Sequence, residues 1–191
     1  MKRKTLVFDM CLIGIFVAVN AALAQITVPL AVVPLTMQTF AVPLTGAVLG
    51  AKRGAVAMSV YVLLGALAVP VFQGFTGGVG IIAGPTGGFL LAFPLYAAIV
   101  GAIAGKDSRG DWRSRVRLSV GLLSGGIALF TVGGIAYPLL RGFAPSVQVA
   151  FAGWVAPFIL GDLIKLAMVA VIAPVVRRAF AIHCKDSYYT V

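Results

Sequence analysis

The sequence predicts an all-α integral membrane protein with six transmembrane helices and both termini in the cytoplasm. Three observations predict this class. The 191 residues are 61% hydrophobic and 10% charged, a composition that ordinary soluble globular proteins do not reach. Stretches of about twenty mostly apolar residues, enough to cross a bilayer, recur along the whole chain. These stretches lack the alternation of barrel strands, and lipid offers the backbone no hydrogen bonds, so they should form helices.

In this interpretation residues 1–191 form a single membrane domain. The second span is short for a full crossing and contains Pro43, which predicts a kink or a tilt. The third span follows a predicted tight turn at residues 51–54. The six predicted spans are about residues 6–27, 36–50, 54–70, 88–105, 117–140 and 153–176.

The N-terminus also has features of a signal peptide. Residues 1–4 are basic, an apolar run follows, and Ala22, Leu23 and Ala24 resemble a small-residue cleavage site. However, the apolar run is long, and residues 25–29 continue directly into the next element. We therefore expect an uncleaved first helix rather than a chain of five spans with an external N-terminus.

The basic residues predict the orientation. Lys and Arg number 15 against 5 Asp and Glu, for a formal net charge of +10. With the N-terminus inside, the external side holds only Arg141, as the positive-inside rule requires. The charges flank spans instead of forming one patch, so anionic lipid headgroups, and not nucleic acid, are the predicted counter-charge. The predicted cytoplasmic basic residues are Lys2, Arg3, Lys4, Lys52, Arg53, Lys106, Arg109, Arg113, Arg115, Arg117, Arg177, Arg178 and Lys185.

The sequence carries no pattern that predicts an enzyme, a metal site or a cofactor. Cys11 and Cys184 fall at or near the cytoplasmic face, where a reducing compartment argues against a disulfide, and His183 is interpreted as a solvated surface residue. The chain has no Walker phosphate loop and no nucleophile beside a His base. Any ATP-driven process would need energy from other subunits.

Asp162 and Lys165 are the main candidates for a functional site. Each lies inside the sixth span, where a charge costs about 2.5–3.5 kcal/mol on insertion scales. Their spacing of three residues places them on one helix face, where they can pair or hold one ligand. A structural ion pair between helices is the alternative. The span is predicted to run from outside to inside, and helical side chains lean toward the N-terminus, so the pair should reach toward the external face.

The predicted external connections are residues 28–35, 71–88 and 142–148. The first two have almost no charge, and the second is rich in glycine, which suits a lid that approaches a ligand closely. Glycines that merely permit tight helix packing are the competing interpretation. In the first span Gly14, Ala18 and Ala22 form a small-residue stripe that fits either internal packing or a partner subunit.

Four segments resemble the BioY family, the substrate-binding S components of energy-coupling factor (ECF) transporters for biotin. The segments are residues 34–42 (PLTMQTFAV), 75–80 (FTGGVG), 84–90 (GPTGGFL) and 161–165 (GDLIK). Any one of them is weak evidence, but four in series from the first span to about Arg178 are specific.

The resemblance implies a multi-pass protein of the cell membrane that binds biotin, its transported ligand, near the external surface. It further implies that Asp162 and Lys165 contact the ligand. The loops after the first span and between the third and fourth spans would close over the vitamin. Gly14, Ala18 and Ala22 would dock on a transmembrane coupling protein, which two cytoplasmic ATPases energise.

The ligand chemistry suggests further contacts. A carboxylate accepts from the ureido N–H groups of biotin, and an ammonium pairs with its carboxylate. Phe75 and Phe158 are candidates to cover the apolar middle. The alternatives are a transporter or S component for another small vitamin and, less favoured, a small channel. A channel fits poorly because a single acid and a single base lie clearly within the membrane.

The sequence departs from the family in the glycine-rich loop. Some members carry a polar amide there that binds the ureido group, whereas residues 84–86 of this chain contain no Asn. Gln73 is the nearest amide. Gln38, Thr86 and the backbone around Gly84 are the other candidates for this contact.

Overall fold

The computed structural model describes residues 2–29, 34–105 and 111–183, with side chains for 6–29, 34–105 and 111–180. These ranges are predominantly helical. A π-helical turn at Phe130–Ala136 and 3-10 turns at Gln73–Phe75 and Ala156–Phe158 interrupt the α-helices. Within the described ranges the α-helices are α1 Lys2–Ala24, α2 Gln38–Leu49, α3 Ala51–Ala66, α4 Val79–Ala83, α5 Gly87–Ala104, α6 Trp112–Leu129, α7 Tyr137–Leu140, α8 Val147–Trp154 and α9 Ile159–His183.

Four helical segments of the described residues are long and apolar enough to cross a membrane. They are Leu6–Ala24, Gly87–Ala104, Trp112–Leu140 and Val147–Phe180. Helices α2 and α3 have 12 and 16 residues. At a rise of about 1.5 Å per residue they span about 18 Å and about 24 Å, less than the hydrocarbon core of about 30 Å. The four long apolar segments confirm the predicted class, a helical multi-pass membrane protein.

The predicted turn at residues 51–54 is wrong, because the chain reverses one position earlier. Gly50 has φ +80° and its N–H donates to the carbonyl of Gly46 at 2.9 Å. A positive φ is readily adopted by glycine, so this one residue ends α2 and starts α3. Lys52 and Arg53 consequently lie in the first turn of α3.

The predicted first and fifth spans also differ from the helices at one end. Helix α1 ends at Ala24, and Thr27 already belongs to a strand. Helix α6 begins at Trp112, five residues before the predicted span, because the Asp111 side chain accepts from the Ser114 N–H at 3.1 Å. This N-cap starts the helix within a polar, arginine-rich segment that hydropathy alone assigns to the cytoplasm.

The sixth predicted span, residues 153–176, begins in the last residues of one helix and continues in a second helix after a break. Helix α8 runs from Val147 to Trp154, and the hydroxyl of its N-cap residue, Ser146, accepts from the Val149 N–H. Val155 leaves helical geometry with φ −121° and ψ −59°, and Pro157 has no N–H with which to continue the hydrogen-bond ladder. Helix α9 then begins at Ile159, so Asp162 lies in its first turn and not in the middle of a long helix.

Two loops contain structure that the sequence did not predict. Strand β1 (Thr27–Val28) pairs antiparallel with β2 (Leu35–Thr36), with Thr27 opposite Thr36. This pairing agrees with the extended backbone predicted for residues 28–35, of which 30–33 lie outside the described residues. Helix α4 lies within the glycine-rich connection between α3 and α5.

Helix α5 packs against α2, α3 and α6 and forms the centre of the bundle. Close approach requires small residues at the crossings. A Cβ atom at Gly46 of α2 would overlap the backbone of Ala97 of α5. The side chains of Tyr61 and Tyr96 are fully buried in this core.

Several contacts define one end of the bundle. Arg53 Nε of α3 bonds Asp9 Oδ2 of α1 at 2.9 Å, and Arg177 of α9 donates to the carbonyl of Ala47 of α2. The start of α1, the α2–α3 turn and the last turns of α9 therefore lie together, and we call this the basic end. The side chains of Lys2, Arg3, Lys4, Lys106, Arg109, His183, Cys184 and Lys185, to which sequence analysis assigned positions, lie outside the described residues.

Candidate functional site

A cavity of about 440 Å³ lies at the end of the bundle opposite the basic end. Its wall comes from β2, the start of α2, the loop before α4, the first half of α5, the π-helical turn and the start of α9. Its volume falls in the range of small-molecule pockets, about 300–1,000 Å³. Five of the residues predicted to bind ligand line it, namely Gln38, Gln73, Thr86, Phe158 and Asp162.

Three other predicted site residues do not line the cavity. The side chain of Phe75 is 71% exposed on the outer side of the loop. Gly84 lies at the end of α4, where a Cβ atom would meet the carbonyl oxygens of Gly80 and Ile81 at 3.3 Å. Lys165 is buried behind Asp162.

Asp162 and Lys165 form an ion pair that also joins two helices. Lys165 Nζ lies 2.8 Å from Asp162 Oδ1, and both side chains are less than a tenth exposed. The ammonium also donates to the carbonyl of Thr36 at 2.7 Å and to Thr39 Oγ1 at 2.9 Å. An ammonium has three donors, so all three of its protons have acceptors within the protein.

The carboxylate of Asp162 is only half engaged. Its Oδ1 accepts from Lys165 and from the Thr39 hydroxyl, the latter at 2.7 Å. Its Oδ2 has no hydrogen-bond partner in the described part of the chain, and the residue lines the cavity. The N-terminus of α9, whose dipole favours negative charge, lies within one turn. The ion pair therefore places the Oδ2 acceptor of Asp162 at the cavity wall, while the Lys165 ammonium is buried away from the cavity.

The sequence analysis missed the threonines that complete this site. Thr36 and Thr39 belong to β2 and α2 and contact residues of α9 more than 120 positions away. Their signal was a cluster of three polar side chains, Thr36, Gln38 and Thr39, which is unusual at the start of an apolar span. Gln38 continues the polar side, since its Nε2 donates to the Tyr61 hydroxyl at 2.7 Å.

Aromatic rings form the apolar side of the cavity. The ring centroid of Phe89 lies 6.3 Å from that of Phe130 in an edge-to-face arrangement and 6.0 Å from that of Phe158. Phe130 begins the π-helical turn, where the local change of helical period alters which side chains face inward. Sequence analysis identified only Phe158 of these three, because neither the π-helical turn nor the contacts of Phe89 with Phe130 and Phe158 are visible in local patterning.

Hydrogen bonds hold the α4–α5 connection over this end of the bundle. The Tyr137 hydroxyl donates to the carbonyl of Ile82 at 2.6 Å, and Trp154 Nε1 donates to the carbonyl of Pro85 at 3.0 Å. These donors come from α7 and α8, which follow the π-helical turn. Thr86, at the end of the connection, thereby becomes part of the cavity wall.

The small-residue stripe of α1 lies on the outer surface. Gly14, Ala18 and Ala22 are all exposed, and a Cβ atom at Gly14 would meet no other atom within 4 Å. The residues that α1 buries, including Phe16 and Val17, lie on its other side. Of the two interpretations of the stripe, packing within this chain is therefore wrong.

The fold and the site define a helical membrane protein whose cavity has several phenylalanines in its wall and one buried carboxylate that faces it. Residues 1–182 match the model of the BioY family. The chain belongs to this family.

Relatives and a solved structure agree with this assignment. The chain is 39% identical to the probable biotin transporter BioY of Pyrococcus horikoshii, over 86% of this chain and 93% of the relative. It is also 39% identical to the biotin transporter BioY of Thermotoga maritima, over 84% and 90% of the two chains. The crystal structure of the S-component for biotin from an ECF-type ABC transporter has the same fold, with a TM-score of 0.77 over 93% of this chain and 95% of that one, at 22% identity.

Proposed function

We propose that this protein binds biotin and mediates its uptake across the cytoplasmic membrane as the S component of an ECF transporter. The observation that carries the proposal is the free Oδ2 of Asp162 at the wall of an apolar cavity in a chain of the BioY family. Biotin has a neutral ureido ring, an apolar bicycle and chain, and a carboxylate. Each part has a complementary group in the cavity.

In the proposed complex the ureido N–H groups donate to Asp162 Oδ2. The bicycle packs against Phe89, Phe130 and Phe158, because flat apolar rings bury a large area on aromatic walls. The carboxylate accepts from the Gln73 amide and the Thr86 hydroxyl. Both line the cavity, and neither side chain has a hydrogen bond to another described residue.

The remaining predicted site residues have indirect roles in this proposal. Lys165 holds and neutralises Asp162, and it reaches a ligand carboxylate only by releasing Thr36, Thr39 or Asp162. Gln38 extends the polar wall toward Tyr61. Phe75 and Gly84 belong to the glycine-rich connection that borders the cavity, and they shape its backbone without direct contact with biotin.

The proposed topology has six spans, with α2 and α3 as the two short ones and both termini in the cytoplasm. Lys52, Arg53 and Arg177 belong to the basic end, and the cavity lies at the other. The positive-inside rule then directs the cavity to the external side. Biotin enters from outside and meets the start of α9 first.

The proposed partners are a transmembrane coupling protein and two cytoplasmic ATPases, because the chain has no ATP-binding motif of its own. The exposed stripe of Gly14, Ala18 and Ala22 is the proposed docking surface. Small side chains allow another helix to approach the backbone of α1 closely.

A ligand screen by thermal shift in detergent tests the function. We expect biotin to raise the Tm, and thiamine, riboflavin and a blank to leave it unchanged. A ligand that binds only the folded state stabilises it by about 2.7 kcal/mol at a hundredfold excess over Kd. Stabilisation by thiamine or riboflavin without stabilisation by biotin would contradict the substrate assignment.

Substitution of the α1 stripe tests the docking surface. We expect Ala18→Trp, or Ala22→Trp, to reduce co-purification with the coupling protein at least fivefold and to leave biotin affinity unchanged. The reason is steric, since a bulky ring on an outer face separates two helices without disturbing the core. Val171→Trp, at a 71% exposed position of α9, is the matched control. Wild-type co-purification of both stripe variants, or equal loss in the control, would argue against docking through α1.

A further inference from the structure

Gln25 connects the end of α1 to the loop that forms one wall of the cavity. Its Nε2 donates to the carbonyl of Phe72 at 3.0 Å, and its Oε1 accepts from the N–H of Phe75 at 2.9 Å. The same Nε2 donates to the carbonyl of Ala21, one turn back in α1, at 3.0 Å. One side-chain amide thus joins α1 to backbone groups on either side of Gln73 and Gly74.

The bridged segment, residues 72–76, is a tight turn, and we call it the 72–76 turn. The N–H of Phe72 donates to the carbonyl of Thr76 at 3.0 Å. Gly74 has φ +68° and Phe75 has φ +56°. A left-handed backbone costs free energy for a residue such as Phe, because its Cβ atom crowds the neighbouring backbone. The Phe75 ring is 71% exposed, so ring burial does little to offset this cost, and the bond from its N–H to Gln25 helps to hold the conformation.

The 72–76 turn matters because it is part of the cavity wall. Phe72, Gln73, Gly74 and Thr76 all line the cavity. The Phe72 ring is buried against Gly65 and Tyr61 of α3, which fixes the start of the turn. The far side, at Phe75, is held to α1 by Gln25.

We propose that Gln25 is a positioning residue that holds the 72–76 turn closed over bound ligand and makes its position depend on α1. The inference rests on the proposed function for its ligand, biotin. It adds a direct link between the wall of the site and the helix whose outer face carries the docking stripe. Ala22 of the stripe lies three residues before Gln25, so a shift of α1 moves the amide and the turn together.

The first test measures the turn in ligand-free protein. We expect Gln25→Ala to accelerate amide hydrogen exchange at least tenfold in peptides that cover residues 72–76. Gln25→Glu keeps the acceptor for Phe75 N–H and loses the donor to Phe72, so it should retain most of the protection. Gln148→Ala, the same change at an exposed position of α8, should leave exchange at the wild-type rate. Unchanged exchange in Gln25→Ala would overturn the proposal, whatever the ligand is.

The second test measures the kinetics of biotin binding. We expect Gln25→Ala to raise the dissociation rate constant at least tenfold, while the association rate constant changes less than threefold and the Tm of the ligand-free protein stays at the wild-type value. A merely structural role would instead lower that Tm and slow association. Faster exchange with an unchanged dissociation rate would refute closure over the ligand. Wild-type protein that binds no biotin would refute the proposed function and leave the exchange test decisive for the turn.

Discussion

Asp162→Asn is expected to weaken biotin binding about 10- to 150-fold, since a hydrogen bond to a charged group contributes about 1.5–3 kcal/mol. The Asn side chain has one oxygen and one NH2 group. If its oxygen accepts from Lys165 and Thr39, the NH2 group faces the ureido N–H donors of the ligand. If the group rotates, the NH2 faces the ammonium. Either orientation places a donor against a donor, while size and shape stay almost unchanged.

Titration of purified protein with biotin, alongside the Tm of the ligand-free state, measures this effect. Asp9→Asn is the matched control, because Asp9 also forms an ion pair, with Arg53, but at the basic end and outside the cavity wall. We expect the control to bind biotin within threefold of wild type. If Asp162→Asn bound biotin with wild-type affinity, the proposal that this carboxylate contacts biotin would be wrong.

Lys165→Ala is expected to affect stability as well as binding. Removal of one partner from a buried ion pair costs about 3–5 kcal/mol, because the other charge remains buried without compensation. The Asp162 side chain is 8% exposed, and the carbonyl of Thr36 also loses its shorter hydrogen bond, the one from Lys165. We expect a lower Tm and at least a tenfold loss of biotin affinity in protein that still inserts in the membrane.

Two comparisons separate the roles of Lys165. The double variant Lys165→Ala with Asp162→Asn has no unpaired charge, so it should recover much of the lost Tm but none of the lost affinity. Biotin and its carboxamide should lose affinity equally in Lys165→Ala, because the ammonium already has three acceptors within the protein. A larger loss for biotin would instead assign the ammonium to the ligand carboxylate. Wild-type stability and affinity would contradict both roles.

Sequence analysis could predict those site residues whose side chains are unfavourable in their own helix, whatever that helix packs against. An acid and a base in an apolar helix are unfavourable wherever that helix packs, so Asp162 and Lys165 were conspicuous without a structure. Thr39 was not, because a threonine near the start of an apolar span costs little and becomes important only against Asp162 Oδ1 at 2.7 Å. Phe89 and Phe130 are equally inconspicuous as single aromatics in a hydrophobic chain.

The predicted helix boundaries were wrong where the backbone conformation of one or a few residues ends a helix. Gly50, with φ +80°, moved the turn that hydropathy assigned to the charged residues after it. The break at residues 155–158 divided a stretch that is apolar throughout, and it moved Asp162 from mid-helix to the first turn of α9. Hydrophobicity averaged over a window of residues does not detect a change of backbone conformation at a single residue.

The sequence by itself determined that the chain is a helical membrane protein with a buried acid–base pair, because the composition, the length of the apolar runs and the cost of charge in lipid depend on residue type alone. Its resemblance to the BioY family rests instead on four short motifs in series along the chain. Only the tertiary structure decided which charge faces the cavity, that the α1 stripe lies outside, and that Gln25 holds the 72–76 turn. Those facts depend on directional hydrogen bonds between residues as far as 129 positions apart, and periodicity in one segment carries no information about its partner in another.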